Sequence, residues 1–171
     1  MSLSQKSKTF AGFSLQKYIL RSDLKKKVAE IRSSGKSIVT LNGSFDLLHA
    51  GHLEMIYQAS LQGDVLIVAL NSDDSIKKYK SPTRPIIPLE YRMQMMAALE
   101  MVGFVTSFEE TDPIAILEII RPDVHANGSE YGENCIESEV IKRHGGRVHI
   151  ISLLPGLSTS NIIKKIKEIC D

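Results

Sequence analysis

The stretch that decides the fold is Ser37–His52, SIVTLNGSFDLLHAGH. Ser37–Leu41 is a short apolar run of the length and composition of a buried strand. Asn42-Gly43 reads as a turn, and an amphipathic segment from His52 to Leu61 reads as a helix. A strand passing directly into a helix is the repeating unit of an α/β sheet, and such sheets bind ligands beyond the carboxyl ends of their strands. His49 and His52 stand three residues apart, so they share one face of the helix's first turn. Gly51 between them has no side chain, which lets a phosphate approach the backbone closely. Free N–H groups and a partial positive charge at the helix start also favour an anion. Together these features predict a polyphosphate cradle with two imidazole donors. A zinc site is the competing reading of the histidines, but no carboxylate or thiolate to complete it is apparent in the sequence.

Working outward, the same alternation recurs. Asp64–Leu70, DVLIVAL, is almost continuously apolar, as suits a parallel strand covered on both faces. Further strands are expected over Phe104–Phe108, Asp123–Ala126 and Arg147–Ser152. Helices are expected over Leu24–Ile31, Leu89–Met101, Pro113–Ile120 and Ile136–His144, with a last one from Ser158. Ser81–Pro88 carries Pro82, Pro85 and Pro88, which exclude a helix interior or a central strand, so it is a loop long enough to act as a lid. The pattern predicts an α/β fold, a Rossmann-like doubly wound parallel sheet with right-handed crossovers. It forms a single domain over residues 23–171, after a partly flexible leader over residues 1–22.

Composition narrows the function. With 171 residues the chain suits one domain. Its 21 Lys and Arg balance 20 Asp and Glu, without the basic excess of a dedicated nucleic-acid binder. Cys135 and Cys170 form no CxxC pair, which argues against a disulfide framework and for reduced thiols in a cytoplasmic protein. No apolar run approaches the ~20 residues of a membrane span. The opening MSLSQKSKTF lacks the apolar centre of a signal peptide.

Two motifs carry a family resemblance. FDLLHAGH, Phe45–His52, resembles the HxGH signature of the cytidylyltransferase-like nucleotidyltransferases. PGLSTSNIIKK, Pro155–Lys165, contains Ser158-Thr159, which resembles that family's second signature at the start of its last helix. Ser158 is also a good helix N-cap in its own right. The resemblance implies a Rossmann-like fold of the HUP type. It also implies transfer of a nucleotidyl group from a nucleoside triphosphate to a phosphorylated alcohol or sugar, releasing pyrophosphate without a covalent enzyme intermediate. It places His49 and His52 on the triphosphate and its developing charge, with Arg92 close by. Ser44, Phe45, Asp46, Gly51, Asn127, Ser158 and Thr159 fall at the nucleotide. Lys80 falls on the acceptor's phosphate, with Lys77 as the second candidate, and Asn42, Asp73 and Arg84 fall on the acceptor side. Mg²⁺ is expected to travel with the triphosphate, and a homodimer is the family's default.

NSDDSIKKYKSPTRPIIPLEYRM, VTSFEETDP, RPD, NGSEY and STSNIIKKI together resemble the branch of this family that makes ADP-heptose, here without its sugar kinase. That implies ATP and D-glycero-D-manno-heptose 1-phosphate as substrates, with the product feeding lipopolysaccharide. Asn127 and Glu130 depart from the branch's usual lysine and aspartate, and Ser44 from a frequent cysteine. A CTP-dependent enzyme acting on glycerol 3-phosphate or a similar polyol phosphate is the alternative. Leu153–Leu157 lacks the arginine that such enzymes usually carry before the final signature. A non-catalytic nucleotide-binding domain is a third reading, opposed by the joint presence of His49, His52, Lys80 and Ser158-Thr159.

Overall fold

A computed structural model describes residues 9–132, 134–152 and 155–170. Five strands, β1 (Ile38–Gly43), β2 (Val65–Asn71), β3 (Phe104–Phe108), β4 (Val124–Gly128) and β5 (Arg147–Ile151), form one sheet in the order β3-β2-β1-β4-β5. Every pairing is parallel. The chain winds outward from β1 through β2 to β3, then crosses back to β4 and β5. The strand order therefore switches direction between β1 and β4, where a doubly wound sheet opens a crevice.

The helices are α1 (Phe10–Leu15), α2 (Arg21–Ser33), α3 (Ala50–Ser60), α4 (Asp73–Tyr79), α5 (Leu89–Ala98), α6 (Ile114–Ile120), α7 (Ser138–Arg143) and α8 (Thr159–Cys170). The apolar run of β2 serves both faces of the sheet. Leu66, Val68 and Leu70 pack with Ile56 of α3 and Met96 and Ala97 of α5. Ile67 and Ala69 pack with Leu24, Val28 and Ile31 of α2 and with Ile116 and Ile120 of α6. Period-2 alternation within a run that is apolar throughout is the mark of a strand buried on both sides.

The structure departs from the sequence reading in three places. Asn42 and Gly43, read as a turn, continue β1 and pair with Ala69 and Leu70 of β2. Asp73–Tyr79, left without an assignment, is helix α4, with the Ser72 hydroxyl accepting from the Ser75 N–H as its cap. Residues 9–22, read as leader, belong to the folded domain. Thr9 caps α1, Tyr18 bridges to Val105 on the open edge of β3, and Ile19 is buried. Residues 1–8 lie outside the described part. Covering a sheet edge satisfies backbone groups that would otherwise invite pairing with another chain. A single bridge of this kind leaves no periodic signal.

Candidate active site

A cavity of about 390 Å³ opens where the carboxyl ends of β1, β2, β3 and β4 meet. Phe45, His52, Met55, Tyr79, Lys80 and Thr159 are part of its lining. Thr111, Asp112, Pro113, Asn127, Glu130 and Glu137 are also part of its lining, from the loops that follow β3 and β4.

His49 is the N-cap of α3, and its Nδ1 accepts from the His52 backbone N–H at 3.3 Å. The two rings stack with centroids 3.8 Å apart and planes 21° from parallel. The buried Phe45 ring meets His52 edge-on at 5.3 Å, from a backbone in the left-handed region at φ 45°. A side chain at Gly51 would put its Cβ 3.1 Å from His49 Nδ1 and 3.5 Å from Leu157 Cβ. Glycine there leaves room for the His49 ring, while Leu157 is at ordinary contact distance. Burial, reinforced by the neighbouring His49, pushes the His52 pKa down to about 4, and burial lowers that of His49 as well. His52 is thus a neutral imidazole at pH 7, offering an N–H dipole rather than a charge. Stacking and the engagement of His49 Nδ1 as a cap do not resemble tetrahedral zinc ligation. Among the described residues no three His, Cys, Asp or Glu side chains gather into a metal-holding group.

Lys80, at the end of α4, donates from Nζ to Ser44 Oγ at 2.8 Å. Burial, followed by the charge of Arg84, lowers its pKa from the usual lysine value. Lys77, one turn earlier, is exposed and pairs with Asp74 at 3.0 Å, and it does not line the cavity. Of the two candidate lysines, only Lys80 stands at the site.

Four residues read as ligand contacts also have charged or polar partners within the protein. Arg92 is fully buried. Its Nε donates to Ile87 O, Nη1 to Ser44 O and Asn71 O, and Nη2 to Asn71 O and to Asp73 Oδ1 at 2.6 Å. That accounts for the guanidinium's donors and leaves none for a triphosphate. Asp73 also accepts from the Leu89 N–H at the start of α5. Asp46, 1% exposed, accepts from the Ile86 and Ile87 N–H groups, and Arg84 Nε lies 2.6 Å from its Oδ2. Asp46, Asp73, Arg84 and Arg92 therefore tie the proline loop to the ends of β1 and β2. A buried charge without a partner is costly, so these ions pair inside the fold.

The remaining predicted residues fall at the cavity or its rim. Both amide atoms of Asn42 and the Nδ2 of Asn127 are buried without a hydrogen-bond partner, and both residues line the cavity with Ser44 and Thr159. The Ser158 hydroxyl accepts from the Asn161 N–H and caps α8. Sequence reasoning missed Tyr79, Thr111, Asp112, Tyr131 and Glu137 as cavity residues. Thr111, Asp112 and Tyr131 sit just beyond strand ends, and that position was the available signal, whereas Tyr79 is the last residue of α4. Glu137 fell inside a segment read as helix and carried none.

Residues 40–165 match the cytidylyltransferase-like family. The chain belongs to that family. By membership it is a nucleotidyltransferase, and the matched residues include His49 and His52. The bifunctional protein HldE of Klebsiella pneumoniae is 45% identical over 150 residues, covering 87% of this chain and 31% of the relative. HldE of Syntrophotalea carbinolica is 39% identical over 150 residues, with the same two coverages. The chain thus spans about a third of the length of these relatives. Among solved structures, the lipopolysaccharide core biosynthesis protein of Thermoplasma volcanium superposes with a TM-score of 0.56 at 25% identity, covering 70% of this chain and 98% of its own. Pantoate-beta-alanine ligase of Francisella tularensis, at 19% identity and a TM-score of 0.56 over 90% of this chain and 79% of its own, shares the fold. No helix among the described residues is long and apolar enough to cross a membrane.

Proposed function

We propose that the chain transfers AMP from ATP to D-glycero-D-manno-heptose 1-phosphate, giving ADP-heptose and pyrophosphate. The observation that carries this reading is the convergence of His52, Lys80 and Thr159, from distant parts of the chain, on one cavity beyond the strand ends. Such a cavity has room and donors for a triphosphate beside a second anion. The ADP-heptose branch is supported by the motifs Asn71–Met93 and Ser158–Ile166 and by the likeness to HldE.

In this reaction an oxygen of the acceptor's phosphate attacks the α-phosphorus in line. The bond from that phosphorus to the α–β bridging oxygen breaks, and pyrophosphate leaves. A phosphate monoester is already anionic near neutral pH, so catalysis rests on positioning and charge stabilisation. His52, kept neutral, donates its N–H to the charge that develops on the triphosphate, with His49 stacked beside it. Thr159 and the free N–H groups at the start of α8 receive the outer phosphates. Lys80, steadied by Ser44, aligns the attacking phosphate and offsets repulsion between the two anions. Mg²⁺ carried on ATP would supply further charge neutralisation at the phosphates. We place the enzyme in the cytoplasm, as a homodimer.

Pyrophosphate release measured over a matrix of ATP, CTP and GTP against heptose 1-phosphate and glycerol 3-phosphate tests the reading. Turnover is expected with ATP and heptose 1-phosphate. Turnover confined to CTP with glycerol 3-phosphate assigns the chain to the polyol branch. Nucleotide binding without turnover of either acceptor points to a non-catalytic domain.

A further inference from the structure

On the α6–α7 side of the cavity the protein leaves polar atoms without partners. Glu137 is 8% exposed and forms part of the lining; its side chain meets the Cys135 thiol, and its Oε2 is buried without a hydrogen-bond partner. Beside it in sequence, Ser138 is 7% exposed with an unpartnered hydroxyl, and Asn127 Nδ2 is unpartnered in the same cavity. Elsewhere around the site buried charges are matched, as Arg92 is by Asp73 and Asp46 by Arg84. No ion pair among the described residues includes Glu137. A buried polar atom left unmatched costs on the order of 1–3 kcal/mol, and more if charged, so such a group at a cavity wall is best explained by a ligand that completes it.

The chemistry of that ligand follows from the charge. A carboxylate repels phosphate and accepts hydrogen bonds from neutral donors, above all hydroxyls. Its position selects which hydroxyls. Leu117 of α6 packs with Val140 and Ile141 of α7, and this contact sets Glu137, before α7, near Thr111, Asp112 and Pro113, before α6. These helices are on the sheet face opposite α3. The triphosphate cradle lies at the starts of α3 and α8, whereas Thr111–Pro113 follow β3, whose neighbour β2 leads into Lys80.

We propose that Glu137 determines acceptor specificity by accepting hydrogen bonds from the hydroxyls of the sugar whose phosphate is held at Lys80, with Asn127 Nδ2 beside it as a donor to a sugar oxygen. This deepens the proposed function and rests on it. A polyol body bridging the cavity then meets a cation at its phosphate end and a carboxylate at its hydroxyl end. An acceptor with fewer hydroxyls leaves Glu137 unmatched and binds less well.

Steady-state kinetics of the wild type, E137Q and E137A with ATP and heptose 1-phosphate test the proposal. Calorimetric titration of heptose 1-phosphate in the presence of α,β-methylene-ATP accompanies them. E137Q, which keeps shape and one carbonyl oxygen, is expected to raise the acceptor KM about tenfold, and E137A nearer a hundredfold. The KM for ATP and kcat are expected to stay within about twofold. The preference for heptose 1-phosphate over glycerol 3-phosphate should shrink in both variants, an effect that mere loosening of the fold would not produce. If the wild type turns over and E137Q matches it, the proposal falls while the function stands. If the ATP KM rises instead, the carboxylate serves the ribose and the proposal falls. If heptose 1-phosphate binds without turnover and E137Q weakens that binding, the proposal stands while the reaction is wrong. If the wild type neither binds nor turns over this acceptor, both fall.

Discussion

The two sides of the cavity treat buried polar groups in opposite ways. Around the proline loop the buried ions face groups of opposite charge. Arg92 has Ile87, Ser44, Asn71 and Asp73, and Asp46 has Ile86, Ile87 and Arg84. Around the ends of β1 and β4, Asn42, Asn127, Glu137 and Ser138 keep buried atoms without partners. The difference separates scaffold from site. A saturated network holds geometry, while unsaturated atoms on a cavity wall offer contacts to something that arrives. His52 stands between the two, held by Phe45 and His49 ring contacts yet facing the cavity with a buried Nδ1 left unpartnered.

The sharpest way to break that contrast is Arg92→Met. It strands Asp73 and three carbonyl groups, and an expected loss of about 3–5 kcal/mol in urea unfolding marks Arg92 as scaffold. Full stability in that variant would refute the assignment. His52→Ala is expected to do the reverse. Turnover in the pyrophosphate assay should drop by about 10²–10³ with the unfolding midpoint little changed, as for loss of one donor to developing charge. A large loss of stability with the remaining rate intact would move His52 to the scaffold.

A third test uses pH. His125 is completely buried in β4 beside the Thr40 hydroxyl, 2.8 Å from its Nδ1, and burial pushes its pKa down to about 4. Unfolded, the same imidazole binds a proton below about pH 6.5. Between those values the unfolded chain holds more protons, so stability falls as pH drops through that window, by up to about 3 kcal/mol from this group. His52, with its pKa also near 4, acts in the same direction. Denaturation midpoints from pH 7 to pH 4 should show the slope, and His125→Phe should flatten it. The smallest effect belongs to Lys77→Ala, which breaks only an exposed pair with Asp74. Its stability should change by less than about 0.5 kcal/mol and its turnover should equal the wild type's, whereas Lys80→Ala should slow turnover.

Much of the sheet was legible because strand patterning is local. DVLIVAL announces a strand buried on both faces, and Phe104–Phe108 matches β3 residue for residue. The histidine pair was legible because a helix N-cap lies over the residue three places on, which puts the two side chains together without help from distant segments. The roles of Arg92, Asp46 and Asp73 were not. A charged residue near a ligand site and one locked in a buried network look alike in one dimension, and only the partners tell them apart. The edge cover by Tyr18 and Ile19 was hidden for a related reason, since it consists of one bridge to Val105 and one buried side chain.

By itself the amino-acid order determined that this chain builds alternating strands and helices, and that an imidazole pair with a flanking glycine opens the first long helix after β1. Those are consequences of side-chain periodicity and backbone freedom within a few residues. Tertiary structure alone decided which charges are spent holding the proline loop, which lysine reaches the cavity, and that Glu137 meets it from behind α6. Burial and hydrogen-bond partnership are properties of segments brought together in space, and no local pattern encodes them.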